Sequence, residues 1–155
     1  MAMCVLFYTQ VFAGKQMAWL SENVDPDSFE MTSEGTCSWA IPTPPEGYAW
    51  KKFEVQLLKR VTTVSASTGI VYSYKTHGSV KYADPTDSEI SIDISAVGYY
   101  QFQFRPVDLE GNYGAWVAMY DSSFWKDQKK NYPGIEVTED DITVGGNSGS
   151  GSGSS

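Results

Sequence analysis

The chain has 155 residues, with 19 acidic against 11 basic side chains for a formal charge of −8. That charge is spread rather than blocked, which excludes a phosphate-tracking nucleic-acid binder and gives no attraction to an anionic membrane surface. No stretch reaches the roughly 20 apolar residues of a membrane span. Two cysteines are too few for a disulfide framework or a zinc site. Two buried free thiols are expected, with a Cys4–Cys37 bridge as the alternative.

Five Trp, ten Tyr and seven Phe make the chain rich in aromatics, and such side chains favour pleated, half-buried surfaces. The first residues, MAMCVLFYTQVFAG, superficially suggest a secretion signal. They lack a basic leading region, and Thr9 and Gln10 break the apolar run, so they read as mature structure. Cys4 to Phe12 is an apolar, β-prone run suited to an extra edge strand. Its residues Val5, Phe7 and Val11 are the candidate assembly contacts. Lys15 to Leu20 has the period of a short helical turn.

From Thr36 onward, short runs alternate with turn signals, as in an all-β sandwich. A weak first strand near Ser28 to Thr32 is followed by Thr36 to Ile41, which the prolines 42, 44 and 45 close because they supply no ladder N–H. Lys51 to Arg60 places Phe53, Val55 and Leu57 on one face. Ile70 to Lys75 is the next run. Glu89 to Ile94 alternates Ile90, Ile92 and Ile94 against Ser91 and Asp93.

Tyr99 to Asp108 alternates Tyr100, Phe102 and Phe104 against Gln101, Gln103 and Arg105. The turn at Leu109 to Asn112 has the Gly and Asn that tight hairpins need. Gly114 to Tyr120 returns as its partner, bringing the count to seven. After it, Ser122 to Lys130 suggests a short helix ended by Pro133 and Gly134. Ile135 to Val144 reads as a short strand or the entry to the tail, and the Gly/Ser-rich residues 145–155 as a flexible coil of native or engineered origin.

Residues 28–121 resemble a fibronectin type III domain. The run SWAIP, with Trp39 between the sheets, is similar to that family's second strand. IDISAVGYYQFQFRPVDLEGNYGAW is similar to its sixth strand and last hairpin. Ala96 and Gly98 stand where the family commonly has Pro and Thr. The resemblance implies a seven-stranded antiparallel immunoglobulin-like sandwich with Trp39, Tyr100, Phe102 and Trp116 as structural core. It also implies that Tyr100 is a corner tyrosine whose buried ring sends its hydroxyl to backbone upstream. Residues 1–27 are then an N-terminal extension, 122–144 a C-terminal extension and 145–155 a tail.

Chemistry is sparse. The single histidine, His77, falls in KTHGSVKY, which reads as a surface loop without a nucleophile elbow. The acidic groups Asp84, Asp87, Glu89 and Glu139, Asp140, Asp141 are the candidates for a carboxylate pair, but their local pattern is that of turns. Asp108, Glu110 and Asn112 alternate oxygens as a calcium loop does, and a hairpin turn accounts for the same residues. No catalytic residue, metal site or cofactor is expected.

Tyr48 and Trp50, after the proline-rich break, are the candidate binding pair: at a sandwich rim they would stack on sugars or anchor a protein, while a core or staple role is the other reading of the same two rings. The expected function is a non-enzymatic structural or adhesive module, at a virion or extracellular surface without a classical signal peptide. It would be a bacteriophage tail, baseplate or capsid-decoration component. Its partners would be other structural proteins or copies of itself. A carbohydrate-binding module that uses rim aromatics on surface glycans is the alternative.

Overall fold

A computed structural model of the chain describes residues 14–67, 69–120 and 134–146. The segment holding Val5, Phe7 and Val11, and the expected helix at 122–130, lie outside these residues. The described chain is mostly β, in two antiparallel sheets. Strands β1 (Glu30–Met31), β2 (Thr36–Ser38) and β5 (Glu89–Ser91) form the smaller, in the order β1-β2-β5. The larger joins β3 (Trp50–Ser65), β4 (Gly69–Ala83), β6 (Gly98–Asp108) and β7 (Val117–Ala118) in the order β4-β3-β6-β7. An eighth strand, β8 (Ile135–Val137), pairs with Gly98 to Tyr100 of β6.

Alternation decides which side chains lie between the sheets. Phe53, Val55 and Leu57 of β3 and Tyr100, Phe102 and Phe104 of β6 are all buried, facing Phe29, Met31, Cys37, Trp39 and Ile92. The aromatic rings interlock: Trp39 lies 5.2 Å from Phe104, and Phe29 stacks 4.9 Å from Phe102. Each such ring contributes roughly 1.5–3 kcal/mol by leaving water. The Trp39 indole N–H is buried without a hydrogen-bond partner among the described residues. Cys37 is a free, buried thiol, and Cys4, its partner in the alternative bridge, lies outside the described residues.

Both described flanks pack onto this body. The Met17 amide donates to the Tyr113 carbonyl at 2.8 Å, and Leu20, in a 3-10 turn at Ala18–Ser21, is fully buried. Val137 of β8 is also core. After it comes helix α1 (Glu139–Gly146), which the alternation did not suggest. Its start has the returning half of a capping box, the carboxylate at the third helical position reaching back to the amide of the cap residue Thr138. Asp141 accepts from the Thr138 amide at 2.8 Å and from the Thr138 hydroxyl at 3.0 Å. These bonds hold the Asp141 carboxyl below its ordinary pKa.

Three expectations are corrected. His77 is in no loop: it lies in β4 opposite Leu57, exposed, with its ring edge-on to Tyr100. The Gly that suggested a loop instead allows a bulge, since Gly78 adopts φ +83° and the Gln56 side chain donates to its carbonyl at 2.9 Å. β3 and β4 are accordingly much longer than expected. Trp116 is only partly buried and stands outside the core cluster. It lies on the outer face of the larger sheet, where the Arg105 guanidinium sits 4.3 Å from its ring.

Candidate functional site

The pairing of Trp50 with Asp108, and of Phe53 with Ala83, sets one end of the larger sheet. Residues 40–49, 84–88 and 109–113 therefore gather there, together with 14–24, which hydrogen-bond to Asn112 and Tyr113. Loops at one end of a rigid sandwich are where binding residues are most often carried.

The proline-rich segment folds back beneath this end. Pro42 and Pro45 are buried, and the Pro42 carbonyl accepts from the Trp50 indole at 2.8 Å. Trp50 is consequently 8% exposed and belongs to the core. Of the two readings of the Tyr48–Trp50 pair, the staple holds for Trp50, which closes the loop with its one donor satisfied. Tyr48 is half-buried, placed by a turn in which its amide donates to the Pro45 carbonyl at 2.9 Å.

The ring that Tyr48 meets is Trp19. The two centroids are 4.9 Å apart with an interplanar angle of 76°, an edge-on contact. Trp19 is 43% exposed. Adjacent residues of a tight helical turn cannot share a face, so burying Leu20 turns Trp19 outward. The turn itself is fixed at several points. Ser21 Oγ donates to the Ala115 carbonyl at 2.7 Å, and Asn23 Nδ2 donates to the Thr43 carbonyl at 2.9 Å, which ties both loops together. Periodicity does not pick out this exposure of Trp19. The signal was its position beside a leucine that had to go inward.

The remaining chemical candidates resolve into structure. Asp108 is 2% exposed, and its Oδ1 accepts from the Glu110 and Asn112 amides, both at 2.9 Å. Its Oδ2 accepts from Asn112 Nδ2 at 3.3 Å, so the turn occupies the carboxylate. Asp84 and Asp87 form a turn of their own, in which the Asp87 amide donates to the Asp84 carbonyl at 3.0 Å. Among the described residues, no group of three or more His, Cys, Asp or Glu is arranged to hold a metal ion. A cleft of about 370 Å³ opens beside β4, lined by Leu57, His77, Lys81, Ser91 and Asp93. Another of about 380 Å³, lined by Glu34, Asp93, Val137 and Asp141, lies beside α1.

Apart from Asp141, lowered by its hydrogen bonds, the shifted groups are raised by burial. Burial pushes the Cys37 thiol up to about 12 and raises the Tyr100 phenol. Burial also raises Tyr74, against the opposing charge of Arg60. These are groups kept neutral by packing, not acids or bases poised near pH 7. No helix among the described residues is long and apolar enough to cross a membrane. Comparison with protein-family models, with curated proteins and with solved structures found no match.

Proposed function

We propose that the chain is a non-enzymatic, fibronectin type III-like module that makes protein–protein contacts as a structural component. Two features support the fibronectin type III reading. The strand order β1-β2-β5 against β4-β3-β6-β7, with β8 added on β6, is compatible with such a domain, and the Tyr100 hydroxyl donates to the Ala96 carbonyl as a corner tyrosine would.

One observation carries the contact function. The β3–β6 pairing stops at Lys59 with Tyr100, whereas the β3–β4 pairing continues from Arg60 with Tyr74 to Ser65 with Gly69. Among the described residues, β3 beyond Lys59 pairs with β4 alone. A two-stranded ribbon by itself is marginally stable in water, and exposed strands are ordinarily guarded by charges. Here residues 61–74 carry no charged side chain, and Val64 near the tip is 78% exposed. At the ribbon's root, the Arg60 guanidinium lies between two rings, 4.4 Å from Tyr72 and 3.9 Å from Tyr99. A neutral, β-branched ribbon on a rigid root is suited to docking against another protein.

The narrower proposal places this module in a virion, as a phage tail, baseplate or capsid decoration in which such contacts repeat. It rests on analogy with adhesion-type sandwiches. Val5, Phe7 and Val11 remain proposed as a second contact. Val64→Asp tests the ribbon. The variant should keep its fold by circular dichroism while losing co-purifying neighbours or self-association, read by light scattering and cross-linking of the native assembly. Unchanged association in a folded Val64→Asp chain would sink the ribbon reading.

A further inference from the structure

We propose that Trp19, supported by Tyr48, is a stacking platform for a pyranose ring of a neutral glycan. A sugar ring offers an apolar face of C–H groups that packs on an indole, ringed by hydroxyls that need hydrogen-bond partners. The site supplies both requirements. The indole is 43% exposed, and Tyr48 meets it edge-on at 4.9 Å, so one face of the pair is supported by protein.

The platform is held in place before any ligand arrives. The Met17 amide on the Tyr113 carbonyl, Ser21 Oγ on the Ala115 carbonyl and buried Leu20 fix the turn that carries Trp19. Asn23 Nδ2 on the Thr43 carbonyl fixes that turn to the loop that carries Tyr48. Little conformational freedom is then left to lose on binding.

The surrounding chemistry selects the ligand class. Across residues 14–28 and 40–50, Glu22, Asp25, Asp27 and Glu46 face Lys15 as the sole basic side chain. Glu22 and Glu46 are exposed, and they sit three residues after Trp19 and two before Tyr48. Carboxylates accept from sugar hydroxyls and repel phosphate, sulfate and sialic acid, so the fitting ligand is neutral. The proposal is independent of the ribbon: it involves the opposite end of β3, and its failure leaves the assembly reading where it stands.

Titration calorimetry of the full chain with cellohexaose, chitohexaose and maltohexaose tests it, with an anionic heparin hexasaccharide as comparison. Saturable binding of at least one neutral hexamer is expected. It should weaken by about tenfold or more in Trp19→Ala, by less in Trp19→Phe, and hardly at all in Tyr48→Phe, which keeps the supporting ring. Near-ultraviolet circular dichroism verifies that each variant is folded. Absence of binding by all three neutral probes, binding undiminished in Trp19→Ala, or preference for the heparin fragment would each overturn the platform.

Discussion

The Tyr100 hydroxyl donates to the Ala96 carbonyl at 2.7 Å while the ring above it is fully buried. The bond spans four residues and ties the start of β6 to the chain that arrives from the smaller sheet. It therefore braces the segment by which the chain passes from the smaller sheet to the larger. Tyr100→Phe keeps the ring and removes the bond, leaving the Ala96 carbonyl without that donor. The expected loss is about 1 kcal/mol of folding stability, measured by urea denaturation with an unchanged slope. A variant as stable as the parent would show that the corner bond contributes nothing net.

A second tie extends the β2–β5 pairing of the smaller sheet at Gly35, where the Ile92 amide donates to the Gly35 carbonyl at 2.9 Å. Gly35 adopts φ +100°, and a Cβ there would collide with the Ile92 carbonyl oxygen. Gly35→Ala therefore combines backbone strain with a clash against main chain that cannot swing aside. A destabilisation of at least about 2 kcal/mol is expected. Gly47→Ala provides the contrast: its φ is also positive, but nothing lies within 4 Å of the added methyl, so only the backbone cost should appear. Comparable melting temperatures for the two variants would contradict this account.

Much of the sandwich was legible because period-two alternation records burial directly. Phe53, Val55 and Leu57, and Tyr100, Phe102 and Phe104, read as inward faces and are buried. Errors arose where a residue's environment is set by distant chain. Gly78 looked like a loop because local rules cannot see that Gln56 across the ladder fills a bulge. Trp50 could be read as rim or as staple because its partner is a carbonyl in a proline segment whose fold-back is a tertiary event. Trp116 looked like core, yet the cation across from it on β6, Arg105, holds it on the outer face. In α1 the signal was local and present, in the Thr138 to Asp141 spacing, but the run is too short for its period to stand out from a strand.

Cys37 should make stability fall at alkaline pH. Burial raises its thiol from 9.0 to about 12, so the folded state holds its proton where the unfolded chain releases it. Its contribution is fully present below pH 9.0 and lost as pH rises through about 12. Across that window the loss approaches 4 kcal/mol, an order-of-magnitude figure of about 1.4 kcal/mol per unit. Tyr100, also raised by burial, acts in the same direction. In a Cys4→Ser background, Cys37→Ala should flatten the fall in stability between about pH 9 and 11 by roughly one proton's worth. The native Cys37 thiol should resist an aromatic disulfide reagent at pH 8 and react on unfolding. Rapid labelling of the folded protein would remove the basis for both statements.

On the outer face of the larger sheet, Arg105 Nε donates to Glu54 Oε1 at 2.7 Å, and its guanidinium lies between Tyr113 and Trp116 at 4.1 and 4.3 Å. Glu54 is 8% exposed, with Lys52 as a second, looser partner at 3.6 Å. The planar guanidinium does two jobs at once: it pairs the carboxylate edge-on and stacks between two rings. A lysine ammonium can do only the first of these well. Arg105→Ala leaves a largely buried carboxylate with one distant cation and opens the aromatic pair, so a loss of roughly 2–3 kcal/mol is expected. Arg105→Lys should recover less than half of it. Combining Arg105→Ala with Glu54→Ala should cost less than the sum of the single changes by about 1 kcal/mol or more. Because the pair is mostly shielded from solvent, that coupling should persist in about 0.5 M salt. Strict additivity of the two substitutions would mean that stacking alone holds Arg105 in place.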